Sequence, residues 1–189
     1  MKVQIPAQKP LKVALQIFLF AHYIHILVEK GLISRDQLPS KFSIKAGTGQ
    51  IFVDFGLNQQ ATKTVARNMV IACLGMCVNI FDGALEETFQ PSIKKFSTKD
   101  NSVDDLTAAR AIINQMRNAF AHRPERPTWR VKNPNFLRAF QVKQINLTVD
   151  LQELNGQLIK PGQVGGYKAF FDLFKYCFDE VGKAQPLKG

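Results

Sequence analysis

The sequence predicts a mainly α-helical bundle of four to five helices, with a small β-hairpin inserted before the last one. Three observations carry that expectation. Apolar residues recur every three to four positions over long stretches, as on the buried face of a helix. Prolines and glycines cluster at the ends of those stretches. Residues 139 to 151 instead alternate and carry β-branched side chains, the pattern of a strand.

A first helix is expected from Pro10, suited to a first turn, to about Lys30, with Gly31 placed to stop it. Its apolar run, Val13 to Val28, follows Lys2, Lys9 and Lys12 and so resembles a signal or membrane segment. Gln16, His22 and His25 interrupt the run, and about 16 residues is short against the roughly 20 of a span. A central bundle helix covered on several sides, without stable membrane insertion, is therefore expected. Residues 32 to 60 hold no sustained helical period. Ser34 and Gln37 suit a short capped turn, and Gly47-Thr48-Gly49-Gln50 separates short extended pieces such as Ile51 to Phe55.

A second long helix should run from about Gln60 to Thr88, with Gly75 allowing close approach of a neighbour and Pro91 following its end. The third is expected to start at Ser102, with Asp105 three residues later as an approximate capping box. Leu106, Ala109, Ile113, Met116 and Phe120 then form one core stripe, and Pro124 and Pro127 end the element. The hairpin, at about 137–160, is read as a strand over residues 139 to 151, a tight turn at Asn155-Gly156 and a return through Gln157-Leu158-Ile159. A last helix from Tyr167 to about Gly182 gathers Phe170, Phe171, Phe174, Cys177, Phe178 and Val181.

Composition bounds the function. At 189 residues, 46% hydrophobic and 21% charged, the chain fits one domain spanning 1–189 with a sizeable core. Its formal net charge of +10 favours anionic partners, nucleic acid first, and is densest at Arg123, Arg126, Arg130 and Lys132. Three cysteines without further ligands at metal spacing read as free thiols of a reducing, cytoplasmic compartment; no metal and no cofactor are expected.

Polar chemistry gathers at the end of the third helix, Arg117-Asn118-Ala119-Phe120-Ala121-His122. At 100° per residue Arg117 sits about 40° from Ile113, Asn118 about 140° and His122 about 180°. The last two share an outward face, and Arg117 lies at the core edge with its guanidinium free to reach out. Arginine offers a fixed fork of donors to a phosphate, and histidine moves protons near neutrality. The bland alternatives are a helix-terminal histidine favoured by the dipole and an arginine in a structural ion pair.

Arg117-Asn118-x3-His122 resembles the motif of the HEPN superfamily, an arginine followed by a polar residue and then a histidine near the end of a late bundle helix. The resemblance extends to the helix order over about residues 10 to 125 and 166 to 182. It implies a metal-independent endoribonuclease acting as a homodimer on RNA, of the kind that serves as a toxin with a cognate antitoxin or as a defence effector. Carried over, Arg117 holds the scissile phosphate, His122 is the acid/base residue and Asn118 supports them, leaving 2′,3′-cyclic phosphate and 5′-hydroxyl ends. Non-catalytic binding or scaffold modules also occur in that superfamily and form a second expectation. A membrane-associated helical protein, resting on Val13 to Val28, is a third.

Lesser candidates complete the reading. His22 and His25 share a face, suiting either a cleft or simple packing. Asp82, Glu86 and Glu87 could set a carboxylate near His122 or form a solvated helix end. Arg123, Arg126, Trp129 and Arg130 are the expected nucleic-acid contacts, with Trp129 able to stack a base or else pin the loop.

Overall fold

A computed structural model describes residues 8–37, 41–46, 49–54, 58–97, 103–124 and 126–184. It is a mainly α-helical bundle with a small antiparallel hairpin before the last helix, as the sequence predicts. In chain order the elements are α1 (Gln8–Glu29), β1 (Lys41–Ala46), β2 (Gly49–Asp54), α2 (Gln59–Thr88) and α3 (Asp105–His122). They continue as β3 (Ala139–Val142), β4 (Leu147–Asp150), the single turn α4 (Leu151–Leu154) and α5 (Tyr167–Ala184). β1 pairs with β2 and β3 with β4, both antiparallel, in two separate two-stranded sheets.

The helix ends are set by local chemistry. Asn58 caps α2 by accepting from the Ala61 N–H at 2.8 Å. Asp104, rather than Ser102, caps α3, its Oδ1 accepting from the Thr107 N–H at 2.6 Å. Ser102 lies outside the described residues, as do Gly47, Thr48 and Phe55. Gln37 Oε1 accepts from the Ser34 N–H at 2.7 Å, closing the short turn expected there.

The core joins α1, α2, α3 and α5 through interlocking rings. Phe18 of α1 meets Phe171 and Phe174 of α5 at centroid distances of 4.8 and 6.0 Å, and Phe174 meets Phe81 of α2 at 4.8 Å. The helix at the centre is α3, not α1. From Ala108 to Met116 every α3 residue is buried, polar ones included, because α2 and α5 cover one side and β3 the other. The single stripe expected for this helix is thus only part of its buried surface.

α1 buries Leu11, Ala14, Phe18, Ala21 and Val28, but Val13, Ile17, Phe20 and Tyr23 are exposed, Phe20 to 64%. It is a surface helix with one apolar face uncovered, which corrects the expectation of a helix enclosed on several sides. By length and composition α1 and α2 are both long and apolar enough to cross a membrane; 28% of the apolar window is buried in α1 and 50% in α2. The 22 residues of α1 also remove the argument that this segment is too short.

The inserted hairpin turns earlier than expected. The strand breaks after Val142 into the turn Lys143–Ile145, where Asn146 adopts φ 50°, and Leu147 starts the return. The Gln144 N–H donates to Asp105 Oδ2 at 2.8 Å, tying this turn to the start of α3. Asn155-Gly156 instead starts a strap that runs back beside the loop after α3. There the Trp129 N–H donates to the Gln157 carbonyl at 2.9 Å, and the Ile159 N–H to the Pro127 carbonyl at 2.8 Å. Periodicity misses this because a four-residue break leaves the inward-outward alternation intact on either side: Phe140, Val142, Leu147 and Val149 are all buried.

Candidate functional site

The last two turns of α3 carry a closed ring of polar side chains. Asn114 Nδ2 donates to Asp82 Oδ1 of α2 at 3.0 Å, and Asn118 Nδ2 reaches Asn114 Oδ1 at 3.5 Å. Arg117 Nη1 donates to Asn118 Oδ1 at 3.2 Å, and Arg117 Nε closes the ring on Asp82 Oδ2 at 3.8 Å. Gln115 Nε2 adds a second donor to Asn114 Oδ1 at 3.1 Å. Asn114 and Asn118 meet because residues four apart stack on one helix face. Asp82 belongs to the most buried stretch of α2, so the ring sits half in the core.

Burial pushes the Asp82 carboxyl above its ordinary range, and the hydrogen bond from Asn114 and the Arg117 charge offset only part of that rise. Arg117 is bound through Nε and Nη1, while its side chain remains 39% exposed. Its Nη2 has no partner among the described residues. The arginine is braced by the core yet still offers donors to solvent, as the helical angles predict.

His122 is exposed at the last position of α3 and has no hydrogen bond or ion pair among the described residues. It borders two clefts. One, of about 250 Å³, is lined by Asn114, Gln115, Asn118, Lys94, Arg130 and Lys132, with Asn133 and Phe136 closing it. The other, of about 270 Å³, adds Arg123 and Thr128 beside Arg130. Lys94, Arg130 and Lys132 confront no carboxylate among the described residues of the first cleft's lining, so it favours an anion. Arg117 lines neither cleft; Asn118 is the residue that belongs both to the ring and to the cleft of His122.

The expected nucleic-acid residues separate. Arg123 and Arg130 stand with His122, whereas Arg126 lines a different cavity with Arg67 and Lys160. Trp129 is 0% exposed, with its Nε1 donating to Gln163 Oε1 at 3.2 Å. It therefore pins the loop to the bundle and offers no face to a base, which corrects the stacking role. A large ring flanked by arginines looks the same in sequence whether it faces in or out.

The acidic residues of α2 also take other partners than His122. Glu86 accepts from Ser92 Oγ, from the Ile93 N–H at 3.0 Å and from Arg110 Nη2 at 3.3 Å. Burial raises its carboxyl, yet these donors outweigh the burial and hold it below its ordinary value. Neither Asp82 nor Glu86 is a solvated helix-end residue. His22 packs against Tyr167 at a centroid distance of 4.3 Å and against Phe171 at 5.9 Å, and burial followed by the nearby His25 lowers its basicity. Cys73, Cys77 and Cys177 are free thiols.

Asn114, Gln115, Lys94 and Asn133 are site residues the sequence reading did not single out. The available signal was the pair of amides Asn114 and Gln115 set between Ile112-Ile113 and Met116. No family model, curated protein or solved structure matches the chain.

Proposed function

We propose that this protein is a metal-independent endoribonuclease of the HEPN type, acting as a homodimer. The observation that carries the reading is Asn118, which joins the braced Arg117 to a cationic cleft bordered by His122. In this scheme Arg117 donates to a non-bridging oxygen of the scissile phosphate. The 2′-hydroxyl attacks phosphorus and gives up its proton to His122, and the bond to the 5′-oxygen breaks with that oxygen taking a proton from water, producing 2′,3′-cyclic phosphate and 5′-hydroxyl ends. Arg123, Arg130, Lys94 and Lys132 hold the flanking phosphates. Because Arg117 lies outside the cleft lining of its own chain, a second copy bringing its own motif to the same phosphate is a natural completion of the site. A cytoplasmic toxin or defence effector, with an antitoxin partner, is the setting this activity fits.

Labelled RNA incubated with the purified protein and a metal chelator tests the proposal. Cleavage that ends in cyclic phosphates and is lost in both Arg117→Ala and His122→Ala supports it. Absence of cleavage over a broad panel of RNAs, with binding unchanged by His122→Ala, instead identifies a non-catalytic RNA-binding module. A second reading, membrane association, is favoured by the uncovered row Val13, Ile17, Phe20 and Tyr23, which Lys9 and Lys12 flank. Flotation with anionic vesicles that is abolished by Phe20→Ser would support it.

A further inference from the structure

On the other side of the loop that follows α3 lies a cavity unconnected with the proposed chemistry. Its floor is Val70, Ile71 and Leu74 of α2 with Phe120 of α3, and the strap residues Leu158 and Ile159 form the facing wall. At about 340 Å³ it falls at the lower end of the roughly 300–1,000 Å³ typical of small-molecule sites. The strap is held by the Ile159 to Pro127 and Trp129 to Gln157 backbone hydrogen bonds, with the buried Trp129 as anchor, so the cavity is built in rather than left by a loose loop.

Charge at its rim is one-sided. Among the described residues, Arg67, Arg126 and Lys160 border it, no carboxylate lines it, and none of the three cations has an ion-pair partner. Arg67 is near enough to Tyr167, also in the lining, to offset part of the rise that burial imposes on that hydroxyl. Among the described residues Asn68 is the only side-chain amide in the lining, which leaves little to read the edge of a nucleobase.

We propose that this cavity binds a small amphipathic acid, an aliphatic or aromatic body seated on Val70, Ile71, Leu74 and Phe120 with its anionic head at Arg67, Arg126 and Lys160. The apolar walls take the body out of water, and the three cations, which face no carboxylate among the described residues, receive the head. The site is separate from His122, so it stands or falls independently of the ribonuclease reading.

The test is a fluorescence titration of the full chain with 8-anilino-1-naphthalenesulfonate, followed by displacement with decanoate and with adenosine monophosphate. One saturable site is expected, displaced by decanoate and not by the nucleotide. The double variant Arg67→Ala/Arg126→Ala, which changes two exposed side chains, should weaken binding about fivefold or more and flatten its salt dependence. Leu158→Phe should block the cavity, and Phe20→Ser should leave the titration unchanged. Binding that ignores the arginines and Leu158→Phe, that disappears in Phe20→Ser, or that adenosine monophosphate displaces better than decanoate, would overturn the proposal.

Discussion

Two glycines of α2 should respond to alanine with opposite signs. A Cβ on Gly83 would meet nothing within 4 Å, whereas one on Gly75 would lie 2.6 Å from Phe120 Cδ1, 3.1 Å from Cε1 and 3.2 Å from Cγ. Both are helical, so each substitution gains about 0.5–1 kcal/mol by reducing backbone freedom. At Gly83 that gain stands alone, and for a chain of this size it raises Tm by about 1–4 °C. At Gly75 the ring must retreat by about 0.8 Å to restore the 3.4 Å at which ordinary contact begins. Phe120 is only 3% exposed and packed on α2, so the displacement costs about 1–3 kcal/mol of overpacking. The net is a loss of up to about 2.5 kcal/mol, about 1 kcal/mol at the middle of the two ranges, with Tm falling by about 2–4 °C for each kcal/mol lost.

Phe120 also lines the cavity, so a ring displaced by Gly75→Ala should weaken binding of the anilinonaphthalene probe there. Thermal unfolding of Gly75→Ala, Gly83→Ala, Phe120→Leu and the pair Gly75→Ala/Phe120→Leu measures the contact directly. The pair should show a coupling of about 1 kcal/mol or more, because leucine places no ring atoms against the new Cβ. If Gly75→Ala stabilises as Gly83→Ala does, or destabilises equally with and without the Phe120 ring, the close approach of α2 and α3 at this point is wrong.

Other substitutions probe the buried polar groups. Asp82 has a raised carboxyl, so its ionisation favours the unfolded chain: its contribution to stability is present below the ordinary value of 3.8 and is lost as pH rises through the folded value. Asp82→Asn should therefore keep or raise Tm at neutral pH while lowering RNA cleavage about tenfold or more, since Arg117 loses its anchor; equal loss of fold and activity would contradict this. Glu86 is the opposite case, with a lowered carboxyl whose stabilisation is present above its ordinary value of 4.5 and fades as pH falls through the folded one. Glu86→Gln should cost about 2–3 kcal/mol at pH 7, leaving buried Arg110 with neutral acceptors and no anionic partner, and much less under acid, as urea melts at several pH values would show. The sole tryptophan, Trp129, should emit as a buried indole, resist iodide quenching and stay unchanged when RNA is added; quenching by RNA would return it to the interface.

Much of the architecture was written in local sequence. Gly31, Pro91 and Pro124 follow the ends of α1, α2 and α3, and the apolar period between such breaks fixed the helices to within a residue or two. The outward position of His122 and the braced stem of Arg117 also followed from helical angles, since both depend only on residues a turn or two away. Gly75 as a point of close approach belongs to the same class: the absence of a side chain is a statement about a neighbour, even before the neighbour is known.

What tertiary structure decided is which faces are covered and by whom. The first helix read as the covered one and the third as a single stripe, yet α3 became enclosed and α1 kept Phe20 and Ile17 uncovered, because periodicity marks a face without saying what lies against it. Trp129 went inward through the strap at Gln157 to Ile159, a pairing across about thirty residues that no local pattern encodes. The ring of Asp82, Asn114, Asn118 and Arg117 depends on α2 crossing α3 at one register, so its carboxylate was visible in the chain but its partner was not. Spacing along one helix set the motif from Arg117 to His122. The distances between helices determined which half of it is anchored in the core and which half opens on the cleft.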